Sequence, residues 1–452
     1  MALSFGLIYI FLVPPFQAPD EPNHLLRAYH ISEGYFFGIK TKDARFGATL
    51  PESLMLVSDS FRILRYHYQQ KTNLKKILQA AAIPLVPAER SFLDFPNVAY
   101  YAPTAYLPQF PVLFFARLLR LPPLLLMYLG RLATLLFWLV CVSYAIRILP
   151  FHQWTMCWIS LLPASLFLHA SLTADATTNG LAFLLIAQIL NISFTGAAFS
   201  WKRAVFIILL SLIITINKVV YAPLILLLLL LPKDQFGSFR KKAILLGGVF
   251  LIHVIILSIW YQIAGGLFIP YDQYHPIFRE GQQLNPGVDP QAQLSFILQQ
   301  PFTFLKTLVV SYAESAPATL AHYIGKFGWE KNYLPTWLIG ILAASLPASA
   351  LLEKKEPISL RNPHRALLLT TGIAMIAAFS CVIYMQWSPV GHDRILSLSG
   401  RYFIPVFPLF LLALYPKRRF QWRSFQPNWW IYFFIIAHLI SIYSVLQRYY
   451  TL

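Results

Sequence analysis

The chain has 452 residues, of which 57% are hydrophobic, 16% are aromatic and only 12% are charged. Soluble domains carry about 25% charged residues, so this composition excludes an ordinary soluble globule and predicts a polytopic membrane protein. The formal net charge of +18 is typical of topology signals and of attraction to anionic headgroups, and no motif in the sequence points to a nucleic acid partner.

Apolar segments recur along the chain and leave room for about eleven transmembrane helices. Each span needs about 17 to 25 residues, and helices are required because lipid satisfies no backbone hydrogen bonds. We therefore expect an all-α fold with one integral-membrane domain over residues 1–452. The predicted spans lie near residues 2–16, 123–146, 153–171, 180–195, 204–219, 220–232, 243–263, 334–352, 366–386, 402–416 and 429–446.

The first apolar segment, residues 2–16, is slightly short for a span. Either its helix ends flush with the membrane or the true start of the protein lies upstream. It lacks an N-terminal Lys or Arg and a good small-residue cleavage site, so we do not expect a cleaved signal peptide.

Two long polar loops interrupt the apolar segments, at residues 17–122 and 264–333. In the first loop, Pro22 and Gly34 bracket a short helix. Its spacing puts Leu25 and Tyr29 on one face and polar residues on the other, which predicts a helix lying in the membrane interface. A second interfacial helix is expected within residues 100–120, and residues 35–100 are expected to have structure of their own. The second loop should contain a helix near residues 302–324.

The short loops give the orientation, because Lys and Arg collect on the cytoplasmic side. Fifteen basic residues fall on one side and four on the other, so the N-terminus is predicted inside, and both long loops and the C-terminus outside. The fifteen are Arg147, Lys202, Arg203, Lys233, Arg240, Lys241, Lys242, Lys354, Lys355, Arg361, Arg365, Lys417, Arg418, Arg419 and Arg423; the four are Lys218, Arg394, Arg401 and Arg448.

Acidic residues at the ends of apolar runs are the strongest functional candidates. Asp20 and Glu21 directly follow the first run, and Asp175 ends the third. Ionisable side chains at such positions are costly and therefore usually functional. The other polar residues that we assign to substrate binding, all on the predicted outside face, are His24, Arg27, Lys218, His392, Arg394, Arg401 and Tyr402.

Acids and bases around one membrane-facing mouth suit group transfer from a lipid-phosphate donor. A carboxylate can take the proton of an acceptor hydroxyl as general base. Arg or Lys can hold the departing phosphate and its growing charge. Because phosphate is a good leaving group, one well-placed carboxylate suffices.

Each candidate also has a purely structural interpretation. Asp20 and Asp175 could each cap the helix that follows, and capping alone would lower the basicity of Asp20. Lys218 could be a snorkelling anchor at the membrane surface, and anchoring is the default for Arg401 directly before an apolar run.

Five motifs resemble one bacterial membrane family, domain of unknown function 2142, in residue type and in order along nearly the whole chain. They are Pro19-Asp20-Glu21-Pro22-Asn23-His24-x-x-Arg27-Ala28-Tyr29, Ser171-x-x-Ala174-Asp175, Lys218-x-x-Tyr221-x-Pro223, Gly325-x-x-Gly328-Trp329 and Gly400-Arg401-Tyr402-Phe403-x-Pro405.

That family in turn resembles the glycosyltransferase C (GT-C) superfamily, whose members use polyprenyl-phosphate-linked sugars. The resemblance implies an inverting transfer to a glycan or lipid acceptor in the cell envelope, outside the bacterial cytoplasmic membrane. By position, the catalytic acids fall on Asp20 or Glu21 and on Asp175, with Asp20 the first choice. No metal ligands are assigned, although a divalent cation is left open. The alternative function is a transporter or flippase for a lipid-linked saccharide.

Overall fold

A computed structural model describes residues 1–279, 285–329, 332–353, 356–416 and 427–451. Six of the basic residues used for the orientation lie outside these ranges: Lys354, Lys355, Lys417, Arg418, Arg419 and Arg423. Part of the predicted second loop, at 280–284 and 330–331, does so as well.

The described chain is mostly α-helical, as expected from its composition. Its α-helices are α1 (Ala2–Leu12), α2 (Glu21–Ser32), α3 (Glu52–Asp59), α4 (Ile63–Tyr66), α5 (Leu74–Ala81), α6 (Gln109–Leu118), α7 (Pro123–Ile148), α8 (Gln153–Ser160), α9 (Pro163–His169), α10 (Asp175–Thr195), α11 (Trp201–Asn217), α12 (Phe239–Ala264), α13 (Pro276–Arg279), α14 (Pro290–Gln299), α15 (Pro301–Gly325), α16 (Thr336–Leu352), α17 (Asn362–Trp387), α18 (Phe407–Ala413) and α19 (Pro427–Tyr449). Short 3₁₀ helices cover Pro103–Tyr106, Val219–Leu230, Lys233–Phe236, Gly265–Leu267, Tyr271–Gln273 and Gly400–Phe403.

Five helical segments of the described chain are long and apolar enough to cross a membrane, fewer than the eleven expected. They are Pro123–Ile148, Asp175–Thr195, Phe239–Gln273, Asn362–Trp387 and Trp429–Tyr449. Shorter apolar helices occupy Ala2–Leu12, Gln109–Leu118, Val219–Leu230 and Thr336–Leu352. The composition thus predicts a membrane protein correctly, whereas the count of eleven spans stays a prediction.

Proline explains why some predicted spans are not single helices. The segment predicted at 153–171 is divided into α8 and α9 immediately before Pro163. The segment at 402–416 contains only the seven-residue α18, with Pro408 in its first turn. Proline has no backbone N–H and its ring clashes with the preceding turn, so an apolar run containing proline is not necessarily one continuous helix.

The first long loop has structure of its own, as predicted. Its strands β1 (Ile39–Lys40), β2 (Phe46–Pro51) and β3 (Arg90–Asp94) form an antiparallel sheet in the order β1-β2-β3. A Cβ atom at Gly47 would lie 1.8 Å from the carbonyl oxygen of Leu93, so only glycine permits this strand pairing. An apolar cluster that includes Phe16, Leu25 and Leu50 joins this sheet to α2.

Helix α2 lies inside the protein, and the prediction of an interfacial helix with an exposed polar face is wrong. All twelve of its residues are buried. The polar face is covered because its side chains find protein partners: His24 Nδ1 lies 2.8 Å from the Tyr106 hydroxyl, and Arg27 donates to the carbonyl oxygen of Tyr101 at 2.8 Å. An amphipathic pattern alone cannot distinguish a membrane surface from a polar protein surface.

The end of α19 is fastened to the first loop. Arg448 donates to the carbonyl oxygens of Leu64, Tyr68 and Gln70 at 2.5, 3.2 and 3.2 Å. The backbone N–H of Thr72 donates to the carbonyl oxygen of Tyr449 at 2.8 Å. The C-terminal end of α19 and the first loop therefore lie on the same side of the helical body.

Candidate active site

Two acidic and two basic side chains from four distant chain segments meet at one cavity. Arg401 Nη2 donates to Asp20 Oδ2 at 3.0 Å, and Lys218 Nζ donates to Asp175 Oδ1. Arg401 Nε lies 3.9 Å from Asp175 Oδ2, so the guanidinium lies between the two carboxylates. The sequence predicted all four residues as site residues, and the fold brings them together.

Asp20 does not use its carboxylate to cap the helix that follows it. The residue occupies the N-cap position of α2 with a left-handed backbone (φ 62°), and its side chain makes no capping hydrogen bond. Instead, Oδ1 accepts a hydrogen bond from Asn97 Nδ2 at 3.0 Å and Oδ2 pairs with Arg401. A non-glycine residue in this backbone region is strained, and such strain clusters at functional sites.

Asp175 and Lys218 form a pair at the inner wall of the cavity. Asp175 is the first residue of α10, and Ala174 occupies the N-cap position, so Asp175 is not the N-cap residue. Lys218 follows the last residue of α11, and its ammonium group lies 5.3 Å from the centre of the Tyr402 ring. Since the ammonium group contacts Asp175 and faces Tyr402, it points into the protein, and the position is not that of a snorkelling anchor.

Glycines allow Arg401 and Asp20 to approach each other. A Cβ atom at Gly400 would lie 2.3 Å from the backbone nitrogen of Tyr323, so only glycine lets this turn pack against α15. Gly328 has a φ of 82° and packs against the Tyr449 hydroxyl. The indole N–H of Trp329 donates to the carbonyl oxygen of Phe16 at 3.3 Å. The two glycine motifs therefore support the segments that carry Arg401 and Asp20.

The four charged groups line a cavity of about 240 Å³. Burial lowers the pKa of His24 in its wall to about 4, although the nearby carboxylates of Asp20 and Asp175 act in the opposite direction; its imidazole is therefore neutral at neutral pH. Asn97, which the sequence analysis did not select, holds Asp20. The lining residues are Asp20, His24, Asn97, Val98, Tyr100, Tyr101, Asp175, Lys218, Phe268, Ile269, Tyr271, Tyr274, Gln386, Trp387, Ser397, Ser399, Arg401 and Tyr402.

An apolar groove of about 170 Å³ adjoins the cavity. Its wall includes Val219, Trp260, Phe379 and Ile383 from the 3₁₀ segment, α12 and α17. The groove and the charged cavity share six lining residues: Tyr100, Tyr101, Lys218, Gln386, Trp387 and Tyr402. Polar and apolar binding surfaces are thus continuous at this site.

Glu21 points away from the cavity, although it is the direct neighbour of Asp20. Its two carboxylate oxygens each accept a hydrogen bond from Arg131 at 2.7 Å, and one also accepts from the backbone N–H of Leu172 at 3.0 Å. Both side chains of the pair are at most 1% exposed. The sequence analysis missed Arg131, although an arginine inside the apolar run of α7 is itself unusual.

Three other predicted binding residues also lie away from the cavity lining. Arg27 is buried and bound to backbone carbonyl groups of the first loop. His392 lies in the loop after α17, and its Nδ1 lies 2.9 Å from the carbonyl oxygen of Arg394. Arg394 pairs with Glu314 at 2.6 Å on the surface. His392 and Arg394 were selected only because they lie in a loop that is predicted to be outside.

The carboxylates that a metal ion could use at the cavity are those of Asp20 and Asp175, and each is paired with a cation. Throughout the described ranges, no group of three His, Cys, Asp or Glu side chains is placed to hold a metal ion. The sequence assigned no ligand set either, so no residue is assigned to a divalent cation.

The helical fold and the charged cavity beside an apolar groove define a membrane protein with a polar cavity between its helices. The chain belongs to the family of predicted membrane proteins DUF2142, whose family model matches residues 3–410. No curated protein and no solved structure matches the chain significantly. The resemblance to this family is confirmed, and the resemblance to the GT-C superfamily stays a prediction.

The buried pair gives a stability prediction that separates Glu21 from Asp20. Glu21→Gln leaves Arg131 charged, buried and without its carboxylate, a loss that typically costs about 3 to 5 kcal/mol. We expect a clearly lower free energy of unfolding, measured by denaturant titration in detergent. The matched control is Glu33→Gln, whose partner Arg90 is partly exposed; exposed pairs contribute about 1 kcal/mol or less. Equal losses in the two variants would contradict a structural role for Glu21.

Proposed function

We propose that the protein is an inverting glycosyltransferase that moves a sugar from a polyprenyl-phosphate donor to an acceptor in the cell envelope. The observation that carries this proposal is the continuity between the charged cavity and the apolar groove. A lipid-linked phosphosugar has a polar, anionic head and a long apolar chain. Its head suits the cavity with Lys218 and Arg401, and the first part of its chain suits the adjoining groove.

The donor phosphate would bind between Arg401 and Lys218. A guanidinium presents two parallel N–H groups to two phosphate oxygens, and an ammonium adds a compact charge. These cations are paired with Asp20 and Asp175 before the donor arrives, so phosphate binding replaces carboxylate contacts. Oδ2 of Asp20 is then released from Arg401 inside a cavity that already contains the donor.

Asp20 is the proposed general base. Its side chain is 23% exposed, against 9% for Asp175, and it faces the cavity, whereas Glu21 is completely buried. The oxygen of the acceptor hydroxyl attacks the anomeric carbon of the donor sugar while Asp20 takes the proton from that hydroxyl. The bond from that carbon to the phosphate oxygen breaks on the opposite face, and the electron pair leaves with the phosphate. Asn97 fixes the orientation of the carboxylate, and Asp175 holds Lys218.

The proposal places this chemistry on the outer face of the bacterial cytoplasmic membrane. The count of basic residues in short loops puts the N-terminus inside and the first loop outside. The contact between Arg448 and the first loop puts the end of α19 on the side of that loop, which agrees with a C-terminus outside.

The decisive prediction is that Asp20→Asn abolishes transfer and leaves the protein folded. Asparagine keeps the size of aspartate and tolerates the left-handed backbone, but its amide takes up no proton at neutral pH. A general base typically contributes about a hundredfold or more to the rate. We expect a loss of that size in the labelling of envelope glycan by cells whose only copy is the variant.

Two measurements make this result interpretable. The free energy of unfolding of Asp20→Asn should stay close to that of the unmodified protein, in contrast to Glu21→Gln. If Asp20→Asn labels the glycan at the normal rate, the glycosyltransferase mechanism is wrong, and transport of a lipid-linked saccharide becomes the better explanation of the charged cavity.

A second prediction concerns Arg401. Arg401→Lys keeps the positive charge but loses the fork that grips two phosphate oxygens, so activity should fall about tenfold or more. Arg394→Lys is the matched control, because Arg394 pairs with Glu314 on the surface and does not line the cavity. Equal activity of the two variants at limiting donor concentration would argue against phosphate binding by Arg401.

The orientation is tested by cysteine labelling in a chain whose Cys141, Cys157 and Cys381 are replaced by alanine. One cysteine is introduced in the first loop as Lys75→Cys, and another near the start of α12 as Lys241→Cys. Both positions are exposed. An impermeant maleimide should label position 75 in intact cells and position 241 only after permeabilisation. The reverse pattern would place the cavity on the cytoplasmic side.

A further inference from the structure

A second pocket is lined mainly by residues of the first loop, together with Phe278 and Trp329 of the second. Its volume is about 170 Å³. It shares no lining residue with the charged cavity. We call it the loop pocket and define it by Asn23, Arg45, Arg62, Arg65, Phe92 and Trp329.

The loop pocket carries a net positive charge. Three arginines line it, with two aspartates, Asp59 and Asp94. The carboxylate of Asp94 is engaged by Arg45 Nε and Nη2 at 3.0 and 2.7 Å and by the backbone N–H of Phe46 at 3.2 Å. The local charge therefore favours an anionic ligand over a neutral one.

Arg65 is the side chain most suited to contact such a ligand. Its Nη2 donates to the Ser58 hydroxyl at 2.9 Å. This contact fixes the guanidinium in the wall of the pocket, where it can pair with a carboxylate or phosphate oxygen.

Aromatic rings supply flat walls beside the arginines. The guanidinium of Arg65 lies 5.5 Å from the centre of the Trp329 ring, and that of Arg45 lies 4.8 Å from the centre of the Phe92 ring. Aromatic faces pack against the C–H face of a sugar ring, while guanidinium groups bind its oxygens and any anionic substituent. The combination fits one charged saccharide unit.

Two amide side chains connect the loop pocket to the proposed base. Asn23, in the wall of the pocket, donates to Asn97 Oδ1 at 2.9 Å. Asn97, in the wall of the cavity, donates to Asp20 Oδ1 at 3.0 Å. A ligand in the loop pocket would thus lie two hydrogen bonds from the carboxylate that accepts the proton.

We propose that the loop pocket is a subsite for an anionic saccharide unit of the acceptor, held by Arg65 and stacked on Trp329. The assignment of this unit to the acceptor rests on the proposed glycosyltransferase function. Binding contacts far from the reacting atoms can be used to position the acceptor hydroxyl. Either a carboxylate or a phosphate on the sugar would provide the required charge.

The test is a binding titration of the full-length protein in lipid nanodiscs without any donor. The probes are glucuronic acid, glucose 6-phosphate and neutral glucose, measured by calorimetry or ligand-detected NMR. We expect at least one anionic sugar to bind about tenfold or more tightly than glucose, and the tighter of the two identifies the charged group. Equal binding of all three sugars would overturn the proposal.

Variants assign the binding to the loop pocket. Arg65→Gln should abolish the preference for anionic sugars and Arg65→Lys should weaken it, while Arg90→Gln, on the neighbouring strand, should leave it unchanged. Arg401→Gln removes a cation of the charged cavity and shows how much of the binding of glucose 6-phosphate occurs there. If the preference follows Arg401 instead of Arg65, the loop pocket is not the site. If Arg65→Gln does not fold, Arg65→Lys replaces it in the test. An unchanged preference for anionic sugars in Arg65→Lys would show that the loop pocket is not the site.

The result is independent of catalysis. The part of the binding that depends on Arg65 should be the same in Asp20→Asn as in the unmodified protein, because Asp20 does not line the loop pocket. If the unmodified protein binds the anionic sugar but transfers no sugar to glycan, the glycosyltransferase function is rejected and the saccharide site is kept. Transfer without anionic preference would reject the site and keep the function.

Discussion

The buried pair of Arg131 and Glu21 holds together the segments on which the cavity is built. Arg131 reaches from the middle of α7 to the carbonyl oxygens of Ile10, Val13 and Pro14 at 2.7, 2.8 and 3.2 Å. Through Glu21 it also fixes the start of α2. Because a buried ion must be compensated on all sides, these contacts define where the chain turns after α1. The neighbouring residue Asp20 is thereby directed into the cavity.

The charges in the cavity are also compensated by partners of opposite charge. Two carboxylates face two cations, and each acid has a basic partner. This arrangement keeps four ionised groups in a space shielded by aromatic side chains without a net charge. It also means that an anion entering the cavity competes with groups already in place, so affinity for the anion depends on how easily Asp20 and Asp175 give up their partners.

The sequence predicted the residue types of the site better than their placement. Asp20 and Asp175 were selected because charge at the end of an apolar run is costly, and Lys218 and Arg401 because they lie on the predicted outside face. Neither argument shows which side chains meet in the fold. The choice between Asp20 and Glu21 depends on Arg131, which lies more than one hundred residues away in the sequence. Arg27 was predicted, like His24, to lie on the polar face of α2 and to bind substrate. It binds protein groups instead, because Tyr101 and its neighbours cover the polar face of α2.

The helix count was less predictable than the membrane character, for a related reason. Hydropathy measures transfer of side chains from water and carries little information on where a backbone breaks. Pro163 and Pro408 lie within runs that are mostly apolar, and the helices at those points are short. Asn97 was overlooked because an uncharged amide in a polar loop is common, and only its hydrogen bonds to Asn23 and Asp20 distinguish it.

The attachment of α19 to the first loop sets an order for assembly of the protein. The first loop is synthesised early, but Arg448 and Tyr449, which bind its residues 64–72, emerge from the ribosome several hundred residues later. Arg401, the partner of Asp20, is also made late. Since chains are made from the N-terminus and their parts fold as they appear, the first loop waits through the insertion of nearly every helix before its contacts are complete. Premature release of the chain would therefore leave Asp20 in place without the arginine that completes the cavity.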